Sequence, residues 1–126
     1  MNAKWLDRET VRAPHTILCL SEADYLRAAR HCNIKSPPEW LTEGRVACVH
    51  HWEQPGRRVC VVCLRVGDSD PITVACTLVH ESVHVFQALC ESIGEHSPSK
   101  EFEAYSIERI AERLMREYAR RTGGTK

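Results

Sequence analysis

Apolar and polar positions form distinct blocks in the first third of the chain. The run HTILCL at residues 15–20 predicts a short strand. A helix to about residue 32 should follow, because Ser21 is a favourable N-cap and Asp24 places an acid three positions later. Residues 33–44 contain two prolines and a glycine, which predicts a loop.

Two further blocks predict a β-hairpin. Residues 45–52 and 57–66 are rich in β-branched side chains, and the segment Glu-Gln-Pro-Gly between them has turn chemistry. We expect this hairpin to lie beside the first strand.

Helical periodicity dominates the second half of the chain. Asp70 and Pro71 are favourable N-cap and N1 residues, so a helix should run over residues 71–93 and stop at Gly94. Ser97-Pro98 predicts the start of a second helix, which should extend to about residue 121. Its apolar stripe has helical spacing and comprises Ile107, Ile110, Ala111, Leu114, Met115 and Tyr118.

These elements predict an α+β fold in which a sheet of about three strands, partly antiparallel, packs on two long helices. The length of 126 residues fits one domain over residues 1–126. Hydrophobic residues make up 43% and charged residues 27% of the chain, a balance typical of a globular protein.

The overall charge and the cysteine content restrict the expected partners and compartment. The formal net charge is zero, which gives no support to binding of nucleic acid. No apolar run is long enough to predict a membrane-spanning segment. Seven irregularly spaced cysteines and a polar N-terminal segment without an apolar secretory run favour reduced thiols in the cytoplasm. The sequence leaves the oligomeric state open.

Residues 80–84 carry the most specific chemical signal, His80-Glu81-x-x-His84. Histidines four positions apart lie on one face of a helix, one turn apart, where both can bind one Zn²⁺ ion. The glutamate next to the first histidine can then act as a general base on a metal-activated water. A chance match is the alternative, but the motif lies in a polar stripe on an otherwise apolar helix. We expect that helix to be buried on most sides and the stripe to face a cleft.

A catalytic zinc usually takes a third protein ligand. One class of site uses a third histidine six residues after the second, following a glycine turn. Position 90 is Cys90, and no glycine precedes it, so this class is excluded. Cys76, one turn before His80, is better explained as a packed thiol, since a fourth protein ligand would close the position that catalysis needs.

The segment EFEAYSI at residues 101–107 resembles the ligand segment of another class. It is similar to the glutamate zincins of the thermolysin clan, which include the CAAX-prenyl proteases and the ImmA/IrrE-type peptidases. There the ligand glutamate is followed by a small residue at +3 and usually by Asp or Asn at +4. Here Glu101 is followed by Ala104, by Tyr105 and by the apolar Ile107. The plan of the chain is also similar to that of small metallopeptidase-like proteins encoded in phages and prophages.

The resemblance implies that His80, His84 and Glu101 hold Zn²⁺. Glu103 competes with Glu101, because it lies nearer the apolar stripe of its helix, and His96 in the loop is a weaker candidate. Tyr105 departs from the pattern. Three roles remain open for Tyr105. Its hydroxyl stabilises the oxyanion in catalysis, its hydroxyl orients a zinc-binding histidine, or its ring only lines the rim of the cleft.

The expected function is therefore a zinc peptidase that cleaves a peptide or protein substrate, with Glu81 as base. The alternative is a catalytically silent zinc-containing protein that serves in phage or host interactions. Two other signals carry less weight. Cys60 and Cys63 lie in strand-like sequence, where residues three apart point to opposite faces. His50 and His51 likewise alternate, and at most one of them lines the cleft.

Overall fold

The structure is a computed structural model that describes residues 14–67 and 69–123. It has an α+β fold, as predicted, with a mixed three-stranded sheet and three helices among the described residues. In chain order the elements are β1 (His15–Cys19), α1 (Glu22–His31), β2 (Ala47–Gln54), β3 (Arg57–Leu64), α2 (Pro71–Ile93) and α3 (Lys100–Thr122).

The hairpin of β2 and β3 joins β1 through its second strand, so the order of strands is β1-β3-β2. β2 and β3 pair antiparallel, and Gly56 at their turn has a φ of +75°, which glycine adopts without steric cost. β1 pairs parallel to β3, and the connection between them, through α1, the loop after it and β2, is long enough for the crossover that parallel strands need. The predicted position of the hairpin beside the first strand is confirmed, and β2 is left at an edge of the described sheet.

Alternation along β3 builds a hydrophobic core on each face of the sheet. Val59, Val61 and Cys63 pack towards α1, whereas Cys60 and Val62 pack towards α2 and α3. The protein thus has three layers, with α1 on one face and the two long helices on the other. The predicted opposite orientation of Cys60 and Cys63 is confirmed.

α2 has the predicted bounds, and its ends explain why. The Asp70 carboxylate accepts a hydrogen bond from the backbone N–H of Thr73 at 2.8 Å, and Gly94 ends the helix in a left-handed conformation with a φ of +72°. The expectation that most sides of α2 are buried is wrong. Ile72 is 76% exposed and Val79 is 40% exposed. The reason is that the sheet covers one side of α2, α3 covers a second side, and the rest of the helix faces solvent.

α3 begins two residues later than Ser97-Pro98 would place it. Ser99 is the N-cap, since its hydroxyl accepts from the backbone N–H of Phe102 at 3.2 Å, and Pro98 precedes the cap. The predicted apolar stripe packs inward, with Ala111 and Leu114 buried against α2 and the sheet.

By length and composition alone, α2 also has the properties of a membrane-spanning helix. It is the only described helix for which this is true. The core helices of globular proteins share these properties, and α2 buries Leu78, Val85 and Ala88 in the core on its side of the sheet.

Candidate metal centre

Helical spacing on α2 brings two imidazoles and a carboxylate together. One potential ligand atom from each of His80, Glu81 and His84 lies within 4.8 Å of the others. The two imidazole rings are 5.0 Å apart between centroids and nearly perpendicular, with an interplanar angle of 76°. The three side chains therefore form a group that can hold a metal ion.

Glu81 is the buried member of this group. Its residue is only 5% exposed, and its carboxylate accepts no hydrogen bond from any residue in the described part of the chain. Burial raises the pKa of this carboxyl, and the nearby imidazoles of His80 and His84 offset only part of the rise. The carboxylate oxygens have no hydrogen-bond donor among the described residues but still reach solvent, so a water molecule or a metal ion can approach them.

His84 is oriented by a second side chain on the same helix. Its Nδ1 lies 2.9 Å from the side-chain oxygen of Gln87, one turn further along α2. An amide oxygen can only accept, so Nδ1 carries the proton and the lone pair of Nε2 stays free. This arrangement is typical of metal-binding histidines, whose second ring nitrogen donates to an oxygen acceptor.

Strand β2 contacts α2, the helix that carries the histidine pair. His51 points to the α2 side of the sheet, where its Nδ1 lies 3.6 Å from the Sγ of Cys60. Burial lowers the pKa of His51, and the nearby positive charge of Arg58 lowers it further. The carboxylate of Glu91 raises this pKa in part, and His84 lowers it slightly. Arg58 itself binds the Glu91 carboxylate at 2.7 Å and so ties the end of α2 to the sheet.

The structure does not bring the other predicted site residues to this group. Glu101 and Tyr105 are exposed in the first two turns of α3, and Tyr105 is 66% exposed. Glu103 also lies at the surface and is near Cys90, whose pKa is raised by burial and by the carboxylates of Glu95 and Glu103.

The side of α2 on which α3 packs explains this separation. Phe86 contacts Phe102 of α3 with ring centroids 5.7 Å apart, and Val79 lines a groove with Ala104. At about 100° per residue, His84 points about 160° away from Phe86, and His80 about 100° away from Val79. The start of α3 therefore lies around the helix from the two histidines.

Two residues of the centre were missed or given little weight in the sequence analysis. Gln87 had a usable signal, because it follows His84 by three positions and so lies on the same face of α2. The orientation of His51 follows from strand alternation, but its position opposite α2 depends on how the helix packs. Cys76 and His96 are both exposed and lie outside the group.

Comparison with known families, with curated proteins and with solved structures finds no match for this chain.

Proposed function

We propose that the protein is a zinc-dependent peptidase in which His80 and His84 hold the metal and Glu81 is the general base. The observation that carries the proposal is Glu81, a buried carboxylate without a protein partner beside two imidazoles that share one helix face. Burial of this carboxylate costs desolvation energy that no described ion pair offsets, which supports a chemical role for it.

The donor set fits zinc. Two imidazole nitrogens suit a borderline-soft divalent ion, and the contact between Gln87 and His84 leaves Nε2 free to bind it. When bound, zinc would polarise the scissile carbonyl and lower the pKa of a water. Glu81 would take a proton from the attacking water and pass it to the leaving amine. Burial raises the pKa of this carboxyl, a direction that suits a group that has to take up a proton.

Glu101 is the third ligand that the resemblance to glutamate zincins implies. It would reach the histidines only if the start of α3 moved around α2. His51 is the alternative, because it already projects from β2 towards the helix that carries the pair. Tyr105 would act on the oxyanion only after the same movement of α3.

The position of β2 suggests how a substrate would bind. Because β2 is an edge strand in the described sheet, one row of its backbone donors and acceptors has no partner strand there. An extended peptide adding to this edge would run beside the Glu81 carboxylate. This supports a peptide or an unfolded protein segment as substrate.

The deciding experiment compares the wild type with Glu81→Gln in a proteome-derived peptide library. Glu81→Gln is nearly isosteric and removes no histidine, so zinc should stay bound while cleavage falls by at least about a thousandfold. Glu108→Gln, which changes an exposed acid on α3 that has no ion pair among the described residues, is the matched control. Equal cleavage by wild type and Glu81→Gln would refute the role of Glu81. Zinc binding without cleavage by the wild type would instead favour the catalytically silent zinc protein.

A further inference from the structure

A row of cysteines crosses the sheet on the face that α1 covers. In the register of the strands, Cys63 on β3 lies opposite Cys48 on β2 and opposite Cys19 on β1. His50 follows Cys48 by two residues and therefore points to the same face. Every described cysteine is a free thiol.

Three of these side chains converge closely enough to bind one ion. Ligand atoms of Cys48, His50 and Cys63 lie within 4.8 Å of one another. The Nε2 of His50 is 3.4 Å from the Sγ of Cys48. Zinc bonds of about 2.3 Å to sulfur and about 2.0 Å to nitrogen place tetrahedral ligands roughly 3.5 Å apart, so this spacing already suits the ion.

The surroundings hold these side chains in place. The carbonyl oxygen of Trp40 lies 3.2 Å from the Cys48 thiol and 3.0 Å from the His50 Nε2, and Tyr25 packs its ring on the His50 imidazole at 4.9 Å. Cys63 is fully buried, but Cys48 and His50 are partly exposed, so an ion can enter from solvent.

We propose that Cys48, His50 and Cys63 form a second metal site, selective for a thiophilic divalent ion such as zinc, which ties β2 to β3 beneath α1. Binding replaces the thiol protons of Cys48 and Cys63, which pass to solvent. The Nε2 of His50, which donates to the Trp40 carbonyl, gives up that contact, and its proton moves to Nδ1 by exchange with solvent so that Nε2 can bind the ion. Cys19 lies opposite Cys63 on β1 and is the candidate sulfur for a fourth position. The site is independent of the histidine pair on α2, which lies across the sheet.

Cobalt(II) tests the proposal, because only thiolate ligands give it a strong near-ultraviolet charge-transfer absorption. The histidine pair and Glu81 contain no sulfur. Cys76 lies one turn before His80 and could add a thiolate to an ion bound there, so every protein compared in this titration carries Cys76→Ser. Reduced protein should then show this absorption on titration with cobalt(II). Cys48→Ser and His50→Gln should weaken cobalt(II) and zinc(II) binding at the site by about a hundredfold or more.

Cys60→Ser is the matched control. Cys60 is an equally buried thiol on β3, and it lies beside His51 on the opposite face. This variant should keep the cobalt absorption. A second measurement avoids variants altogether: zinc should protect Cys48 of the wild type from alkylation and leave the exposed Cys76 reactive.

Three results would overturn the proposal. They are the absence of cobalt absorption in reduced protein, absorption that survives Cys48→Ser and His50→Gln, and a Cys48–Cys63 disulfide that forms in place of metal binding. None of them affects the peptidase proposal, because that proposal is tested by cleavage and by ligands on α2.

Discussion

Three side chains within one and a half turns of α2 meet different surroundings, and the differences separate their roles. His80 is exposed and His84 is oriented by Gln87, so both imidazoles are available as metal ligands. Glu81 lies on the sheet side of the same turn, where burial raises its pKa. A carboxylate in this position is better suited to moving a proton than to forming a salt bridge.

The contact between Gln87 and His84 gives the first prediction at this scale. Gln87→Ala leaves Nδ1 without its acceptor and frees the imidazole to rotate, so the affinity for zinc should fall by about 10- to 100-fold. Gln87→Glu restores an acceptor and should keep the affinity near that of the wild type. Competition with a zinc-sensitive dye, in the Cys48→Ser background so that only the α2 centre is read, measures both affinities. Equal affinity of wild type and Gln87→Ala would show that Gln87 does not orient the ligand.

The third ligand gives a second prediction. If α3 moves when zinc binds, Glu101→Ala should weaken zinc binding by at least about tenfold, whereas Glu103→Ala should leave it unchanged. If His51 completes the shell without such a movement, His51→Ala should have the large effect instead. Zinc titrations of the three variants, made in the Cys48→Ser background so that only the α2 centre is read, distinguish these outcomes. Loss of binding in Glu103→Ala alone would contradict both alternatives.

The histidine pair and the third ligand differ in how far sequence can predict them. His80 and His84 share a face because of helix geometry alone, which local sequence determines. The position of Glu101 depends on which side of α2 the next helix packs. Phe86 and Val79 direct α3 to the side away from the histidines, and periodicity along α3 contains no information about that choice.

At the scale of elements, a single carboxylate joins both ends of the described fold. Asp24 in the first turn of α1 accepts from the backbone N–H of Leu20 at 3.0 Å and binds the guanidinium of Arg121 near the end of α3. Arg121 also donates to the carbonyl of Leu18 at 2.6 Å. The C-terminal turn of α3 is thus fastened to the end of β1 and the start of α1.

Asp24→Asn should therefore destabilise the protein by about 1–2 kcal/mol at neutral pH, because it removes a charged acceptor from a partly exposed ion pair. Burial works against ionisation of Asp24, but the Leu20 amide and Arg121 outweigh it and lower the pKa below 3.8. A lowered folded-state pKa stabilises the fold fully above the unfolded value, and this contribution disappears as pH falls through the folded value.

Urea unfolding at several pH values tests the sign of this effect. The difference in unfolding free energy between wild type and Asp24→Asn should be largest near pH 7 and should shrink below about pH 4. Glu22→Gln, an exposed acid in the same helical turn, is the control and should show little change. A difference that stayed constant down to about pH 2 would mean that the charge of Asp24 is not responsible.

The element boundaries were predictable where capping chemistry is local, and less so elsewhere. Ser21 and Asp70 gave the starts of α1 and α2, and Gly94 gave the end of α2. Two serines near the start of α3 compete as caps, and the structure uses Ser99. The exposure of Ile72 could not be predicted, because it depends on how many layers the chain can place around α2.

At the scale of the whole molecule, the hairpin of β2 and β3 links the two candidate metal sites. Its alternation sends His51 towards α2 and sends Cys48, His50 and Cys63 towards α1. An ion held by Cys48, His50 and Cys63 would tie β2 to β3, whereas an ion at the α2 centre would bind the hairpin only if His51 completes its shell. The two sites draw on different ligands, however, so their contributions to stability should be separable.

Zinc should therefore raise the melting temperature in two parts. An ion at about 100 times its dissociation constant adds about 2.7 kcal/mol to the unfolding free energy for one site. In a chain of this size, that corresponds to a rise of about 10 °C. The double variant His80→Ala/His84→Ala should lose one increment, and Cys48→Ser should lose the other. Because the ligand sets lie on opposite faces and share no residue, the two losses should add.

Differential scanning calorimetry with chelator and with buffered zinc measures both increments. The protein that carries all three substitutions is the reference and should melt at the same temperature in both conditions. If it still gains stability from zinc, the ion binds elsewhere and neither site is responsible. If either single-site variant already abolishes the whole increment, the two ligand sets do not act independently across the sheet.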